Sequence, residues 1–371
     1  MKLENIILNW YKNTKKADKL RAVKFYGKNR LKLENIPTPT VNDDEVLVKV
    51  KKVAITQLLA KEYFYGPYIM KNSIPIIPGH SFGGVVVKTG KNVEKSLIGK
   101  WVSVLPLRYC GKCYYCKSGL ENLCENLKYY GLIGLDGGLS EYVSVKKGNI
   151  FLINKNDIDK ITFIEPFLIG INILEESIAK IKTKFPNKNS FNILILGVGS
   201  IGLSLALVWS ILRKEDNIFI NDLFLSRLEI LKNTFDKYKL YNNIHPIEKE
   251  YIKKDFFDIV IDTAGFEALA LEPAILEGFK YTIRGGCLVS VGLYYNKIGF
   301  NHLEAVLKNV NIITTKFYRK KSIEKLNTIL NDIKFNFSRF IHNISIAEVL
   351  ENGFYKVQVD KEDFIRLEVK C

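Results

Sequence analysis

With 371 residues the chain is long enough for two domains of ordinary size, and its 47% apolar content can fill two cores. The formal charge of +16 raises the question of nucleic acid, but the basic residues are mostly lysine spread over the whole length, with runs no richer than Asn13-Thr14-Lys15-Lys16 and Arg319-Lys320-Lys321. That distribution reads as a solvated surface and excludes nucleic acid and membrane as expected partners. No apolar run of about eighteen residues occurs, and the N-terminus has no signal-peptide core or cleavage site, so a cytoplasmic protein is expected.

In chain order, residues 1–21 form an N-terminal extension, read either as a short docking helix or as a frayed end. The next informative stretch is YCGKCYYCKSGLENLC, where Cys110, Cys113, Cys116 and Cys124 follow the spacing C-x2-C-x2-C-x7-C. Two disulfides are the alternative, disfavoured by a reducing cytoplasm and the short spacings; four thiolates around one zinc ion are expected. Sulfur would fill every tetrahedral position, so this ion holds a lobe of about 108–126 and performs no chemistry. Of the remaining thiols, Cys287 in CLVSVGL reads as a small buried residue, and Cys371 as an exposed end without a role.

The continuous apolar run 191–196, FNILIL, predicts a strand covered on both faces. It leads into Gly197-Val198-Gly199-Ser200-Ile201-Gly202, the glycine spacing that lets a backbone approach a pyrophosphate at a helix start. A second predicted strand, 218–221, ends at Asp222, twenty residues beyond Gly202, where a carboxylate accepts ribose hydroxyls and repels a 2'-phosphate. Leu223 and Phe224 offer that phosphate no positive partner, so NAD is favoured over NADP; Arg227, one helical turn on, is the residue that qualifies this choice. Further strands are predicted in FFDIVIDTAG at 256–265 and GGCLVSVGL at 285–293, giving the strand and helix alternation of a dinucleotide-binding sheet. Asp262 and Gly265 read as a strand end and its turn in preference to a cofactor contact.

A four-cysteine lobe, an upstream Gly-His segment in PGHSFGGVVVKTG at 78–90, LDGGLSEYV at 135–143, the pair Glu165-Pro166 and a downstream nucleotide fold occur here in that order. In this the chain resembles the medium-chain dehydrogenase/reductase family, closest to its zinc-containing alcohol, sorbitol and glucose dehydrogenases. The resemblance implies an α/β protein in which a Rossmann dinucleotide-binding domain, 166–316, is inserted in a mostly β GroES-like catalytic domain, 22–165 and 317–371. It also implies an active site in the cleft between them, NAD(H) as cofactor, a small alcohol or carbonyl substrate, and a homodimer or homotetramer.

Relatives with a catalytic zinc hold it through a cysteine in a segment resembling ICGSD-x-H, the histidine of a G-H-E motif, and an acidic or other residue downstream. Here that first segment places Thr56 at the cysteine, Leu58 at the proton-relay hydroxyl and Lys61 at the histidine. The second motif is Gly79-His80-Ser81, and Glu165 stands where relatives have a carboxylate near the metal. One imidazole and one carboxylate are a poor catalytic zinc set, so one structural zinc per chain is expected. The expected activity is NAD(H)-dependent interconversion of an alcohol and a carbonyl, or reduction of a conjugated carbonyl, without catalytic zinc. A conventional zinc-dependent dehydrogenase and a non-catalytic nucleotide-binding protein are the alternatives. Catalytic candidates are Lys61, with a rim lysine as the competing reading, and His80, Glu165 and Thr56, of which His80 and Glu165 read equally as structural remnants. Leu58, Leu59, Phe64 and Tyr68 make the stretch less polar than a polyol pattern, and Tyr63 and Tyr65 add phenols that read more readily as pocket wall.

Overall fold

A computed structural model describes residues 19–238, 241–265, 272–360, 362 and 364–371. The readings made for residues 1–18 lie outside these. In chain order, β1 (Lys19–Gly27), β2 (Arg30–Pro37) and β3 (Glu45–Ile55) lead into α1 (Gln57–Phe64), followed by β4 (Phe82–Thr89), β5 (Trp101–Val104) and β6 (Leu107–Arg108). Next come α2 (Tyr114–Lys117), β7 (Lys128–Tyr130), β8 (Gly134–Leu135), β9 (Tyr142–Lys146), β10 (Ile150–Ile153) and α3 (Ile164–Lys182). The nucleotide part runs β11 (Asn192–Leu196), α4 (Ser200–Leu212), β12 (Asn217–Asn221), α5 (Leu225–Tyr238), β13 (Ile244–Pro246), β14 (Phe257–Asp262), α6 (Ala274–Tyr281), β15 (Thr282–Ser290), α7 (His302–Lys308), β16 (Asn311–Thr314) and α8 (Lys320–Ile329). The chain ends with β17 (Ile341–Ser345), α9 (Gly353–Val359) and β18 (Arg366–Lys370).

Two compact units result: residues up to Ser118 with Leu123–Glu165 and Phe337–Cys371, and Gly119–Asn122 with Pro166–Asn336. Whereas the sequence reading closes the nucleotide domain at 316, residues 317–336 group with the second unit. Electrostatics accounts for this, because Arg319, Lys321 and Lys325 at the start of α8 all converge on the nearly buried Glu175 carboxylate of α3, at 3.1, 2.8 and 2.6 Å.

In the first unit the main sheet has the order β10-β5-β4-β3-β18-β17, with β9 also on β3. The alternation of β3 sends Val46, Val48 and Val50 into the core. Near its end, Val53 pairs with Phe82 and Ala54 with Glu368, which brings the Gly-His turn and the last strand to one place.

The second unit carries a parallel six-stranded sheet ordered β13-β12-β11-β14-β15-β16. Numbered within the unit this is 3-2-1-4-5-6, the doubly wound order whose reversal point lies between β11 and β14. Ile193, Leu194, Ile195 and Leu196 are buried because helices cover both faces. Among the described residues no helix is long and apolar enough to cross a membrane.

Candidate active site and metal lobe

The four lobe cysteines converge as their spacing requires. Their sulfurs all lie within 4.8 Å of one another, with Cys113–Cys116 at 3.5 Å, Cys110–Cys116 at 3.9 Å and Cys113–Cys124 at 3.9 Å. A tetrahedron of sulfurs about 2.3 Å from zinc has edges of about 3.8 Å, a length that these three separations approach. Backbone N–H groups of Lys112 and Cys113 pull the Cys110 thiol down to about 6, a ready thiolate ligand. Among the described residues this is the one group of three or more His, Cys, Asp or Glu side chains close enough to hold a metal.

Cys287 is buried in β15, where burial pushes its thiol up to about 12. Cys371 departs from expectation. It follows β18 directly, and its sulfur lies 3.8 Å from the Gly138 carbonyl oxygen, shielded enough that burial raises the thiol to about 12.

In the nucleotide unit, Gly197 has φ +94°, and a Cβ there would meet Ala264 N at 2.8 Å. A Cβ on Gly202 would stand 2.0 Å from Gly197 O, which makes that position obligatory for close helix–strand packing. Gly199 is different: among the described residues a Cβ there meets nothing within 4 Å. Gly199 caps α4 without a side-chain hydrogen bond, so the N–H groups at Ser200 and Ile201 begin a helix whose positive end is open to an anion. Asp222 accepts from Val198 N at 2.7 Å and Phe224 N at 3.0 Å, which ties the carboxylate to the glycine loop. Arg227 lies 3.5 Å from Asp222 Oδ2 and stacks on Phe224 with 5.1 Å to the ring centroid, so a positive charge does stand at this corner. Asp262 accepts from Ala264 N and Gly265 N, the role of a strand-end turn. These features fit a dinucleotide whose pyrophosphate lies at Gly199.

His80, Ser81 and Glu165 meet in the first unit. His80 Nε2 is 3.7 Å from Glu165 Oε2, and Ser81 Oγ donates to the same oxygen. Tyr129, at the middle of β7, donates its hydroxyl to Glu165 Oε1 at 2.5 Å, and its ring stands edge-on to the His80 ring, 6.0 Å between centroids. Burial holds the His80 imidazole below its ordinary value; the Glu165 charge opposes this and the Arg366 guanidinium adds to it. His80 Nδ1 is buried with no hydrogen-bond partner among the described residues.

Behind this group, Arg366 of β18 donates to the Thr162 carbonyl oxygen, Thr162 Oγ1 donates to Glu368 Oε1 at 2.5 Å, and Lys52 pairs with Glu368 Oε2 at 3.2 Å. Burial lowers the Arg366 guanidinium to about 10, with Glu165 and Glu368 resisting. Sequence reasoning missed Tyr129, Arg366 and Glu368. The alternation Arg366, Glu368 within an apolar strand is the one signal that would have marked the latter two as a buried charged pair.

Thr56 and Lys61 have different surroundings. Thr56 caps α1, its hydroxyl accepting from Leu59 N at 3.4 Å. Lys61 is half-buried on the same helix, one turn beyond Gln57 and one before Tyr65. Gln57 donates to Val357 O and Tyr65 OH accepts from Gln358 Nε2 at 3.3 Å, so Lys61 shares the face of α1 turned to α9. Tyr63 packs on Phe354 of α9, ring centroids 5.2 Å apart, while Leu59 is core and Tyr68 is exposed. Glu62, also unforeseen, is fully buried and accepts from the backbone N–H groups of Tyr68, Ile69 and Met70 at 2.9–3.1 Å, which fixes the segment after α1.

Residues 42–155 match the family described as Alcohol dehydrogenase GroES-like domain. Sorbitol dehydrogenase of Bacillus subtilis is 29% identical over 280 residues, 74% of this chain and 75% of the relative. D-xylulose reductase A of Aspergillus oryzae is 25% identical over 350 residues, 90% and 92% of the two chains. Among solved structures, the alcohol dehydrogenase RspB of Escherichia coli CFT073, complexed with NADH, superposes with a TM-score of 0.77 at 22% identity, covering 95% of this chain and all of that one. The 2R,3R-butanediol dehydrogenase of Bacillus subtilis gives 0.77 at 19% identity, covering 95% and 99%. At these identities the structural likeness is one of fold. A GroES-like unit joined to a doubly wound nucleotide unit defines an oxidoreductase of the alcohol dehydrogenase type. The GroES-like match and these relatives support a zinc-type member of the medium-chain dehydrogenase/reductase family.

Proposed function

We propose that this protein interconverts an alcohol and a carbonyl with NAD(H), and that it does so with one structural zinc and no catalytic metal. The observation that carries the second half is the bonding of Glu165: both carboxylate oxygens accept hydroxyls, from Tyr129 and Ser81. Thr56, at the position where relatives have a cysteine ligand, spends its hydroxyl on the helix start. His80 and Glu165 alone supply two donors, one short of the three protein ligands of an open zinc site. This donor set does not fit the metal.

The bound nicotinamide supplies the hydride acceptor or donor, and the residues of the chain handle the proton. His80 is kept neutral by burial, so in alcohol oxidation it is the base that takes the hydroxyl proton, on Nε2, beside the Glu165 charge 3.7 Å away. The carboxylate stabilises the imidazolium through its charge without taking the proton itself. In carbonyl reduction the imidazolium returns the proton. Lys61, set toward α9, competes for this role.

Metal analysis of purified protein is expected to find one zinc per chain; two would sink the metal-free reading. On the substrate of highest turnover from a panel of alcohols, polyols, aldehydes and enones, His80→Ala is expected to lower kcat about 10²-fold or more, the usual worth of general acid–base catalysis. Lys61→Ala is expected to leave kcat within about three-fold, and an equal loss there moves the proton role to Lys61. NADH binding without turnover on any of these would favour a non-catalytic protein.

For assembly, we propose a homodimer formed through the nucleotide units. β16 is an edge strand, and Ile312 on it and Leu303, Val306 and Leu307 on α7 are exposed.

A further inference from the structure

We infer that Tyr129 is a positioning residue that substitutes mechanically for a missing metal: its hydroxyl, with that of Ser81, holds the Glu165 carboxylate at a fixed distance from His80. This rests on the metal-free reading above and adds a residue that the family resemblance does not supply.

Three observations carry it. First, one side chain touches both members of the pair, the phenol donating to Glu165 Oε1 and the ring standing edge-on to the imidazole. Second, the backbone of Tyr129 is closed by hydrogen bonds within its own turn. The residue is fully buried, its N–H donates to Ile133 O at 2.8 Å, and its carbonyl accepts from Leu132 N and Ile133 N at 3.1 and 2.8 Å. The hydroxyl therefore projects from a backbone closed on itself, and a donor held this way confers direction as well as energy. Third, the other carboxylate oxygen is bonded to Ser81, the residue directly after His80 in the chain. A carboxylate bonded at one oxygen only would swing about its Cγ–Cδ bond and collapse onto the imidazole 3.7 Å away, fixing the imidazole as a cation. Bonded at both oxygens it stays near His80 without pairing with it.

The charged and titratable groups facing His80 are Glu165 from α3, Arg366 from β18 and the Tyr129 phenol from β7. Releasing Glu165 from its hydroxyls is therefore expected to favour the imidazolium. The test is Tyr129→Phe, which keeps the ring and removes the hydroxyl, read by the NMR pH titration of the four histidines with His80 assigned through His80→Gln. The expected result is a His80 midpoint displaced upward by about half a unit or more in Tyr129→Phe, and further in Tyr129→Phe/Ser81→Ala, while the other three stay in place. In turnover, the same variants are expected to lower kcat about ten-fold with KM within about two-fold, and to displace the acid limb of the kcat/KM profile in the same direction. A Tyr129→Phe protein that melts lower but keeps the His80 midpoint overturns the assignment, because that is what a purely structural tyrosine would do. If Tyr129→Phe fails to fold, the same midpoint in Ser81→Ala decides, an unmoved value counting against the proposal. The two readings fail separately: a second zinc with a His80 that does not titrate removes the metal-free reading, whereas one zinc with an unmoved midpoint removes only the role of Tyr129.

Discussion

His80 couples the proposed chemistry to stability. Its imidazole is held below the ordinary histidine value chiefly by burial, so as pH falls the unfolded chain takes up this proton before the folded one does. The sign follows directly: the stability His80 contributes is complete above the unfolded value of about 6.5 and is lost as pH falls through the lower folded value. His245, also held down by burial, acts in the same direction, so the histidine-dependent slope has two sources. The melting temperature is expected to drop between pH 7.5 and pH 5.5, and His80→Gln is expected to reduce that drop without abolishing it. An unchanged difference between the two pH values in His80→Gln would mean that the imidazole binds its proton equally well in the folded and unfolded protein, and would remove burial as what keeps it neutral.

At the scale of elements, the turn from β11 into α4 separates two functions of glycine that the sequence presents as one motif. Gly202 lacks a side chain because α4 lies against the Gly197 carbonyl, whereas no described residue stands within 4 Å of a Cβ on Gly199. Gly202→Ala is therefore expected to cost about 1–3 kcal/mol or more of stability, the range for overpacking, read as a lower melting temperature. Gly199→Ala, at φ −78°, is expected to keep the melting temperature and weaken NADH binding about ten-fold or more by fluorescence titration. Wild-type affinity in Gly199→Ala would take the pyrophosphate away from this turn. Both the glycine turn and the cysteine cage were legible because each is closed by residues close together in the chain, where spacing alone dictates geometry. The proposed proton-handling group was legible only in part. His80 and Glu165 could be named, but the contacts that define their chemistry span 36 residues from Tyr129 to Glu165 and 84 from Ser81 to Glu165. No local pattern marks Tyr129, one of two adjacent tyrosines in a three-residue strand. Cys371 was misread for a related reason, since a terminal position says nothing about a last strand that carries the residue inward.

For the whole molecule, the open question is how the nucleotide unit finishes its sheet. β13 and β16 are its two edges, and β16 is flanked by the more apolar surface: Leu303 and Leu307 on α7 are each 67% exposed and Val306 59%, on a helix that packs on β15. An edge strand beside exposed leucines is a liability for a protein that stays alone and a template for one that pairs. Two copies related by a two-fold axis would set β16 antiparallel to its equivalent, joining two six-stranded sheets and covering Ile312 and the α7 face in one isologous contact. That contact requires the same residues on both sides, so one substitution strikes the interface twice. Leu307→Glu and Ile312→Lys are each expected to convert a dimer into a monomer at micromolar concentration by sedimentation. Because association stabilises the folded state by mass action, wild-type protein is expected to melt higher as its concentration rises, and the variants to lose that dependence. A monomeric wild-type protein at the same concentration would sink the assembly proposal. A dimer that survives both substitutions would move the interface away from β16.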